Sequence, residues 1–143
     1  MKATVFISSG RGRINAMNVI DKYWECAQIA SNLSGVDAKI LYSQFSHETA
    51  GFTSELCVKY NNLGGITQTE PNELPQPDGS YYYKEFDSPE AFAVYFGRYL
   101  GYYPGPKNTI EEYATVLKEG GYFGDTLENY IAGMNSAYND AFG

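Results

Sequence analysis

The most informative stretch of this chain is residues 40–66, which read ILYSQFSHETAGFTSELCVKYNNLGGI. Three apolar residues and one carboxylate recur there at steps of four, three and four, and so share one helical face: Leu41, Phe45, Glu48 and Phe52. A soluble helix turns such a face toward the core, where an ionised carboxylate is costly. Partial burial would raise the pKa of Glu48 and keep it protonated near neutral pH, as a general acid requires. The alternative is a boundary glutamate that reaches solvent or pairs with a lysine.

Four short motifs follow one another along the chain. They read Glu-Thr-Ala-Gly-Phe-Thr-Ser at 48–54, Asn-Asn-Leu-Gly-Gly-Ile at 61–66, Tyr-Lys-Glu-Phe-Asp-Ser at 83–88 and Leu-Lys-Glu-Gly-Gly-Tyr-Phe-Gly-Asp at 117–125. In this order they resemble the motifs of the glucosaminidase domains of glycoside hydrolase family 73, over roughly residues 38–138. The chain departs from the family pattern at three places: Thr49-Ala50 stands for Ser-Gly, Phe52 for Trp and Gly64 for Phe.

The resemblance implies a mainly helical, lysozyme-like α+β fold with a small β-hairpin or flap. It also implies an endo-β-N-acetylglucosaminidase that cuts the glycan strands of bacterial peptidoglycan. A muramidase or a lytic transglycosylase of the same fold is the near alternative. A non-catalytic glycan-binding or structural virion protein is the alternative from a different functional class.

Two catalytic groups are expected, because glycoside hydrolysis needs a proton donor and a group that stabilises the oxocarbenium-like centre. Glu48 is the predicted acid. The resemblance places the second carboxylate on the flap, where Thr-Gln-Thr-Glu at 67–70 makes Glu70 the first candidate, with Glu73 and Asp78 as rivals. If none of the three reaches the cleft, the acetamido group of the substrate could act as the nucleophile.

The resemblance further implies a substrate-binding set of three residues: Asn62, Tyr122 and Phe52. Asn62 would bind a sugar acetamido group, although an asparagine is also favoured where a helix stops. His47 is the single histidine, and we interpret it as a surface or edge residue because no serine, cysteine or metal-ligand cluster surrounds it. No metal and no cofactor are expected.

The amino-acid composition limits the kinds of partner that this chain is expected to bind. A net charge of −7 argues against nucleic acid, which requires a basic face. The sequence has no apolar run of 18 or more residues, so we expect no membrane partner. Bacterial walls are anionic and would repel a free acidic enzyme, which indicates that something tethers or delivers this one. The fourteen tyrosines and eight phenylalanines provide rings that either stack on sugars or fill the core.

At 143 residues the chain is predicted to form a single catalytic domain, 1–143, with a possible irregular or extended arm at 1–10. The start, MKATVFISSGRGR, does not look like a signal peptide. We therefore expect a bacteriophage virion or tail component or, as runner-up, an endolysin released at lysis. Cys26 and Cys57 are expected to be buried free thiols, although a disulfide is open to them.

Helical spacing and capping residues predict six helices. They cover 14–33, a segment from Asp37 through Glu48, about 53–60, 88–100, 109–118 and 126–139. The prolines and the Pro-Asp-Gly-Ser turn at 77–80 predict a small hairpin or irregular flap within 65–86.

Overall fold

The computed structural model describes residues 3–6 and 17–143. Their six helices are α1 (Asp21–Ser34), α2 (Ala38–Glu48), α3 (Glu55–Tyr60), α4 (Pro89–Tyr99), α5 (Ile110–Glu119) and α6 (Leu127–Phe142), and a short 3₁₀ turn, Leu100–Tyr102, follows α4. The four strands are β1 (Ala3–Phe6), β2 (Met17–Ile20), β3 (Thr67–Gln68) and β4 (Tyr82–Tyr83). No helix in this part of the chain is long and apolar enough to cross a membrane.

Most helices begin where the sequence predicts, because a polar side chain accepts a backbone N–H at the first turn. The N-capping residues of α2 to α6 are Asp37, Ser54, Ser88, Thr109 and Thr126. Pro89 at the start of α4 fits the same pattern, since its fixed φ suits the first helical turn.

The prediction for the first helix is wrong at its start. Residues 17–20 form β2, which pairs antiparallel with β1 so that Ala3 lies opposite Ile20, and α1 begins only at Asp21. Val19 is buried between an exposed Asn18 and a half-buried Ile20, an alternation typical of a strand. The apolar residues of β2 happen to continue the helical spacing of α1. Of the predicted arm at 1–10, Ala3–Phe6 is a strand and the other residues lie outside the described ones.

The core lies between α2 and the helices around it. α1 packs on α4 and on α2, and α2 packs on α6. Phe45 of α2 meets the edges of Phe92 and Phe96 of α4, with ring centroids 5.3 Å apart in both pairs. Gly97 lets α4 approach α1, since a Cβ there would lie 3.2 Å from the Cα of Ala30.

The two cysteines are buried and free, which confirms the expectation of two thiols. The flap is also confirmed: β3 pairs antiparallel with β4, with Thr67 opposite Tyr83 and Gln68 opposite Tyr82. The flap lies between the glycine turn after α3 and the start of α4, and Gly65 of that turn lies beside the end of α2.

Candidate active site

Glu48 is the last residue of α2 and is half-buried. The chain turns sharply after it, because Ala50, Gly51 and Phe52 all have positive φ angles of 54°, 70° and 66°. Thr49 fixes this turn: its hydroxyl donates to the Phe45 carbonyl at 2.7 Å and accepts from the Phe52 N–H at 2.8 Å. The helix therefore ends at Glu48, as the sequence predicts, and its carboxyl group occupies a fixed position.

The environment of Glu48 favours its protonated form. Burial raises the pKa of this carboxyl from 4.5 to about 7, although a hydrogen bond from Tyr130 lowers it. That bond runs from the Tyr130 hydroxyl to Glu48 Oε2 and measures 2.6 Å. A carboxylic acid with a pKa near 7 can both give and take a proton at neutral pH.

Tyr130 is itself part of a buried chain of hydrogen bonds. The Tyr113 hydroxyl donates to Gln44 Oε1, and Gln44 Nε2 donates to the Tyr130 hydroxyl at 3.2 Å. Tyr113 and Gln44 are fully buried. Since Gln44 occupies a lone pair of the Tyr130 oxygen, the hydroxyl proton of Tyr130 is directed to Glu48.

The ring of Tyr130 is held on two sides. Phe123 stacks on its face with centroids 3.7 Å apart and planes 3° from parallel, and His47 meets it edge-on at 4.8 Å. Gly133 makes room for the imidazole, because a side chain there would collide with His47. The structure thus places His47 at the edge of α2 as a packing residue, in agreement with the sequence.

A cleft opens beside Glu48 at the glycine turn. A Cβ on Gly65 would lie 3.7 Å from Glu48 Oε1, and the φ of Gly65 is +67°. Gly65 also lines a cavity of about 250 Å³. Its other walls include the flap residue Gln76 and four tyrosines: Tyr81, Tyr99, Tyr103 and Tyr122. Rings with polar tips suit the alternating faces and hydroxyl edges of a sugar.

Tyr122 is one of the residues that line this cleft, and its contact with the substrate stays a prediction. Its hydroxyl donates to the carbonyl of Gly64. Gly64 has no space for a side chain, because a Cβ there would lie 2.8 Å from the Tyr122 oxygen and 3.2 Å from Phe92 Cζ. At Gly64, where the family pattern has Phe, the rings of Tyr122 and Phe92 occupy the space that a side chain would need.

The sequence profile of the glucosaminidase family, described as mannosyl-glycoprotein endo-beta-N-acetylglucosaminidase, matches residues 24–141. The chain belongs to this family. The expectation of a glycoside hydrolase is thereby confirmed. No curated protein matches the glucosaminidase significantly in sequence.

Solved structures of the same fold confirm the predicted lysozyme-like architecture. A peptidoglycan hydrolase from Sphingomonas sp. A1 is similar with a TM-score of 0.65 and 21% identity over 82% of this chain and 87% of that one. A type VI secretion system effector–immunity complex from Pseudomonas protegens is similar with a TM-score of 0.60 and 20% identity, over 83% of this chain and 90% of that one. A glycoside hydrolase domain of FlgJ from Salmonella typhimurium is similar with a TM-score of 0.59 and 18% identity, over 83% of this chain and 92% of that one.

The structure gives Asn62 of the glucosaminidase a structural role, and its contact with the substrate stays a prediction. Asn62 is 0% exposed, and its side chain is fully engaged by backbone. Its amide nitrogen donates to the carbonyls of Ile66 and Lys84, at 2.9 and 2.7 Å. Its oxygen accepts from the N–H groups of Gly64 and Ile66. Asn62 therefore fastens the glycine turn to the segment that follows the flap.

Phe52 likewise has a packing role, and its contact with the substrate stays a prediction. Phe52 is only 6% exposed and belongs to the core. It stacks on Tyr23 with centroids 4.5 Å apart and packs against Tyr42 at 4.9 Å. Phe52 lines a cavity with Tyr42 and Gly51 that is separate from the cleft beside Gly65.

The three predicted flap carboxylates, Glu70, Glu73 and Asp78, are all exposed, and none lines the cleft. Asp78 instead closes the flap turn by accepting from the N–H and hydroxyl of Ser80, and these bonds lower the pKa of Asp78. The flap reaches the cleft through Gln76 and Tyr81. Glu48 thus lies beside Gly65, and Gly65 and Tyr122 line one cavity. A catalytic role for one of the flap carboxylates stays a prediction.

The sequence did not identify seven residues of the site, which are three members of the hydrogen-bond chain and four of the cleft wall: Gln44, Tyr113, Tyr130, Gln76, Tyr81, Tyr99 and Tyr103. Gln44 had a usable signal, because it lies four residues before Glu48 on the same helical face. Tyr130 lies 82 residues from Glu48, and no local pattern connects the two. Among the described residues, no group of three or more His, Cys, Asp or Glu side chains is placed to hold a metal ion.

Proposed function

We propose that this glucosaminidase is an endo-acting β-N-acetylglucosaminidase of peptidoglycan, with Glu48 as its general acid. The observation that carries the proposal is the position of Glu48, which lies beside Gly65 of a tyrosine-lined cleft with a pKa of about 7. Peptidoglycan is chosen as substrate because the similar Sphingomonas protein is a peptidoglycan hydrolase.

In the first step, the carboxylic acid of Glu48 donates its proton to the glycosidic oxygen, and the bond from that oxygen to the anomeric carbon breaks. Tyr130 holds Oε2, so the mobile proton resides on Oε1, the oxygen nearer to Gly65. In the second step, the Glu48 carboxylate takes a proton from the attacking water, and the acid is restored.

The group that attacks the anomeric carbon is, in this proposal, the acetamido oxygen of the bound sugar. The exposure of Glu70, Glu73 and Asp78 favours this over a second protein carboxylate. Attack by the acetamido oxygen gives a cyclic oxazolinium ion, which water then opens. The products retain the β configuration, because two displacements occur at the same carbon.

The test compares Glu48→Gln with wild type on purified peptidoglycan. We expect the variant to fold and to lose at least about 10²-fold in rate, the scale of a lost proton donor. Glu55→Gln, a change at an exposed carboxylate on α3, is the matched control. Wild-type clearing by Glu48→Gln would contradict the assignment.

Product analysis decides between this activity and its near alternatives. Mass spectrometry of the digest should find reducing N-acetylglucosamine ends. Reducing muramic acid ends would identify a muramidase, and anhydro-muramic ends would identify a lytic transglycosylase. The absence of any cleavage by wild type, with glycan binding retained, would support a binding or structural protein.

We further propose that the glucosaminidase is delivered to the wall as part of a bacteriophage virion or tail. The support is its net charge of −7, since an anionic wall repels a free acidic protein, most strongly at low salt. Proteomics of purified particles tests this. Absence from virions with late accumulation in the producing cell would favour an endolysin instead.

A further inference from the structure

A second cavity, of about 290 Å³, lies at the end of α4 and is lined by Tyr95, Arg98, Tyr99 and Tyr102. We call these four residues the α4 patch. Tyr102 is 80% exposed and Tyr95 is 38% exposed. Tyr95 and Tyr102 each contact Tyr99 and keep a large part of their own surface in solvent, where a ligand can reach it.

The α4 patch adjoins the catalytic cleft. Tyr99 lines both cavities. On one side its ring lies 6.0 Å from that of Tyr102, and on the other its hydroxyl lies 3.0 Å from that of Tyr103. Tyr103 in turn meets Tyr122 at 5.8 Å. A series of contacting tyrosine rings therefore connects the cleft to Tyr102.

The inner part of the α4 patch is held in place by its neighbours. Tyr95 stacks on Tyr99 with centroids 5.9 Å apart and planes 19° from parallel, and it meets the edge of Phe86 at 5.3 Å. Lys84 Nζ lies 5.5 Å from the Tyr95 centroid. Rings held in this way lose little conformational freedom when a ligand binds.

Arg98 gives the α4 patch a positive charge. Its side chain is exposed and forms no ion pair with the residues that the structure describes. A guanidinium binds carboxylates through paired hydrogen bonds. The α4 patch therefore combines a ring for a sugar face with a cation for a carboxylate, on a chain that is otherwise strongly acidic.

We propose that the α4 patch is a distal subsite that binds a further sugar of the same glycan strand. The ring of Tyr102 stacks on the pyranose, and Arg98 binds a carboxylate of the stem peptide carried by that strand. This inference rests on the proposed function, because it requires a peptidoglycan strand in the cleft. It predicts that long, peptide-bearing strands bind more tightly than short ones.

The kinetic test uses Tyr102→Ala and Arg98→Gln, with Tyr102→Phe as the variant that keeps the ring. In Tyr102→Ala and in Arg98→Gln, the KM for long peptide-bearing strands should rise about tenfold, while the KM for chitotetraose should not change. A tenfold rise is about the scale of one lost ring stack or one lost charged hydrogen bond. Tyr102→Phe should stay near wild type, as should Lys22→Gln, which removes an exposed charge on α1. Removal of the stem peptides by an amidase should abolish the Arg98 effect and preserve the Tyr102 effect.

A binding measurement separates this inference from the proposed function. The Kd of a peptide-bearing glycan fragment is measured by calorimetry for Glu48→Gln, alone and combined with Tyr102→Ala. A Kd about tenfold weaker in the double variant supports the subsite, and an unchanged Kd overturns it. Failure of wild type to cut peptidoglycan would overturn the proposed activity alone, because this measurement does not depend on turnover.

Discussion

Tyr130 binds one carboxyl oxygen of Glu48 and leaves the other free to face the cleft. Oε2 accepts the Tyr130 hydroxyl at 2.6 Å, whereas Oε1 lies on the side of Gly65 and the cleft. Burial and this bond act on the pKa of Glu48 in opposite directions, and burial is the larger effect. The same hydroxyl thus orients the acid and limits how far its pKa rises.

Tyr130→Phe tests this dual role. Loss of the hydroxyl should raise the pKa of Glu48 further, so the alkaline limb of the kcat/KM profile should move to higher pH. The rate at the optimum should fall roughly tenfold, because Oε2 is no longer held. The measurement is a pH profile on soluble glycan strands, with Tyr138→Phe on the same helix as control. An alkaline limb at the wild-type position would show that Tyr130 only packs.

The raised pKa of Glu48 also makes stability depend on pH. A carboxyl whose pKa is higher in the folded state stabilises the fold below its unfolded value of 4.5, and this contribution is lost as pH rises through about 7. Glu48→Gln should therefore match wild type near pH 4 and exceed it near pH 8.5, by on the order of 2–3 kcal/mol in the free energy of unfolding.

Urea unfolding of both proteins at the two pH values measures this difference, and Glu55→Gln at an exposed site serves as control. Equal free energies of unfolding for Glu48→Gln and wild type at both pH values would mean that the Glu48 carboxylate is well solvated in the folded protein.

The structural role of Asn62 predicts a loss of stability. Asn62→Ala removes four hydrogen bonds and leaves buried backbone groups unpaired, so the free energy of unfolding should fall by roughly 2–4 kcal/mol. Asn32→Ala, at an exposed site on α1, should have little effect. Denaturant unfolding gives both values. A raised KM of Asn62→Ala with an unchanged free energy of unfolding would instead support the predicted contact of Asn62 with the substrate.

The parts of the site that the sequence predicted are the local ones. The helical spacing of the apolar residues in α2 placed Glu48 on the face that turns toward the core. Capping side chains predicted where most helices begin. The roles of Asn62 and Phe52 could not be read locally, because a family motif does not say whether a side chain faces the cleft or the core. Tyr130 joins the site only when α6 packs on α2. The start of α1 was missed because a strand of the same apolar spacing precedes it.

The final prediction concerns the group that attacks the anomeric carbon. Because Glu70, Glu73 and Asp78 are exposed and outside the cleft, Glu70→Gln, Glu73→Gln and Asp78→Asn should each retain at least about a third of wild-type activity. Strands whose N-acetylglucosamine units have been N-deacetylated should be cut about 10²-fold more slowly, since an amine cannot form the oxazolinium ion. Rates are measured by release of reducing ends. If Glu70→Gln loses as much activity as Glu48→Gln, and deacetylated strands are cut normally, Glu70 is the second catalytic carboxylate and the acetamido group takes no part.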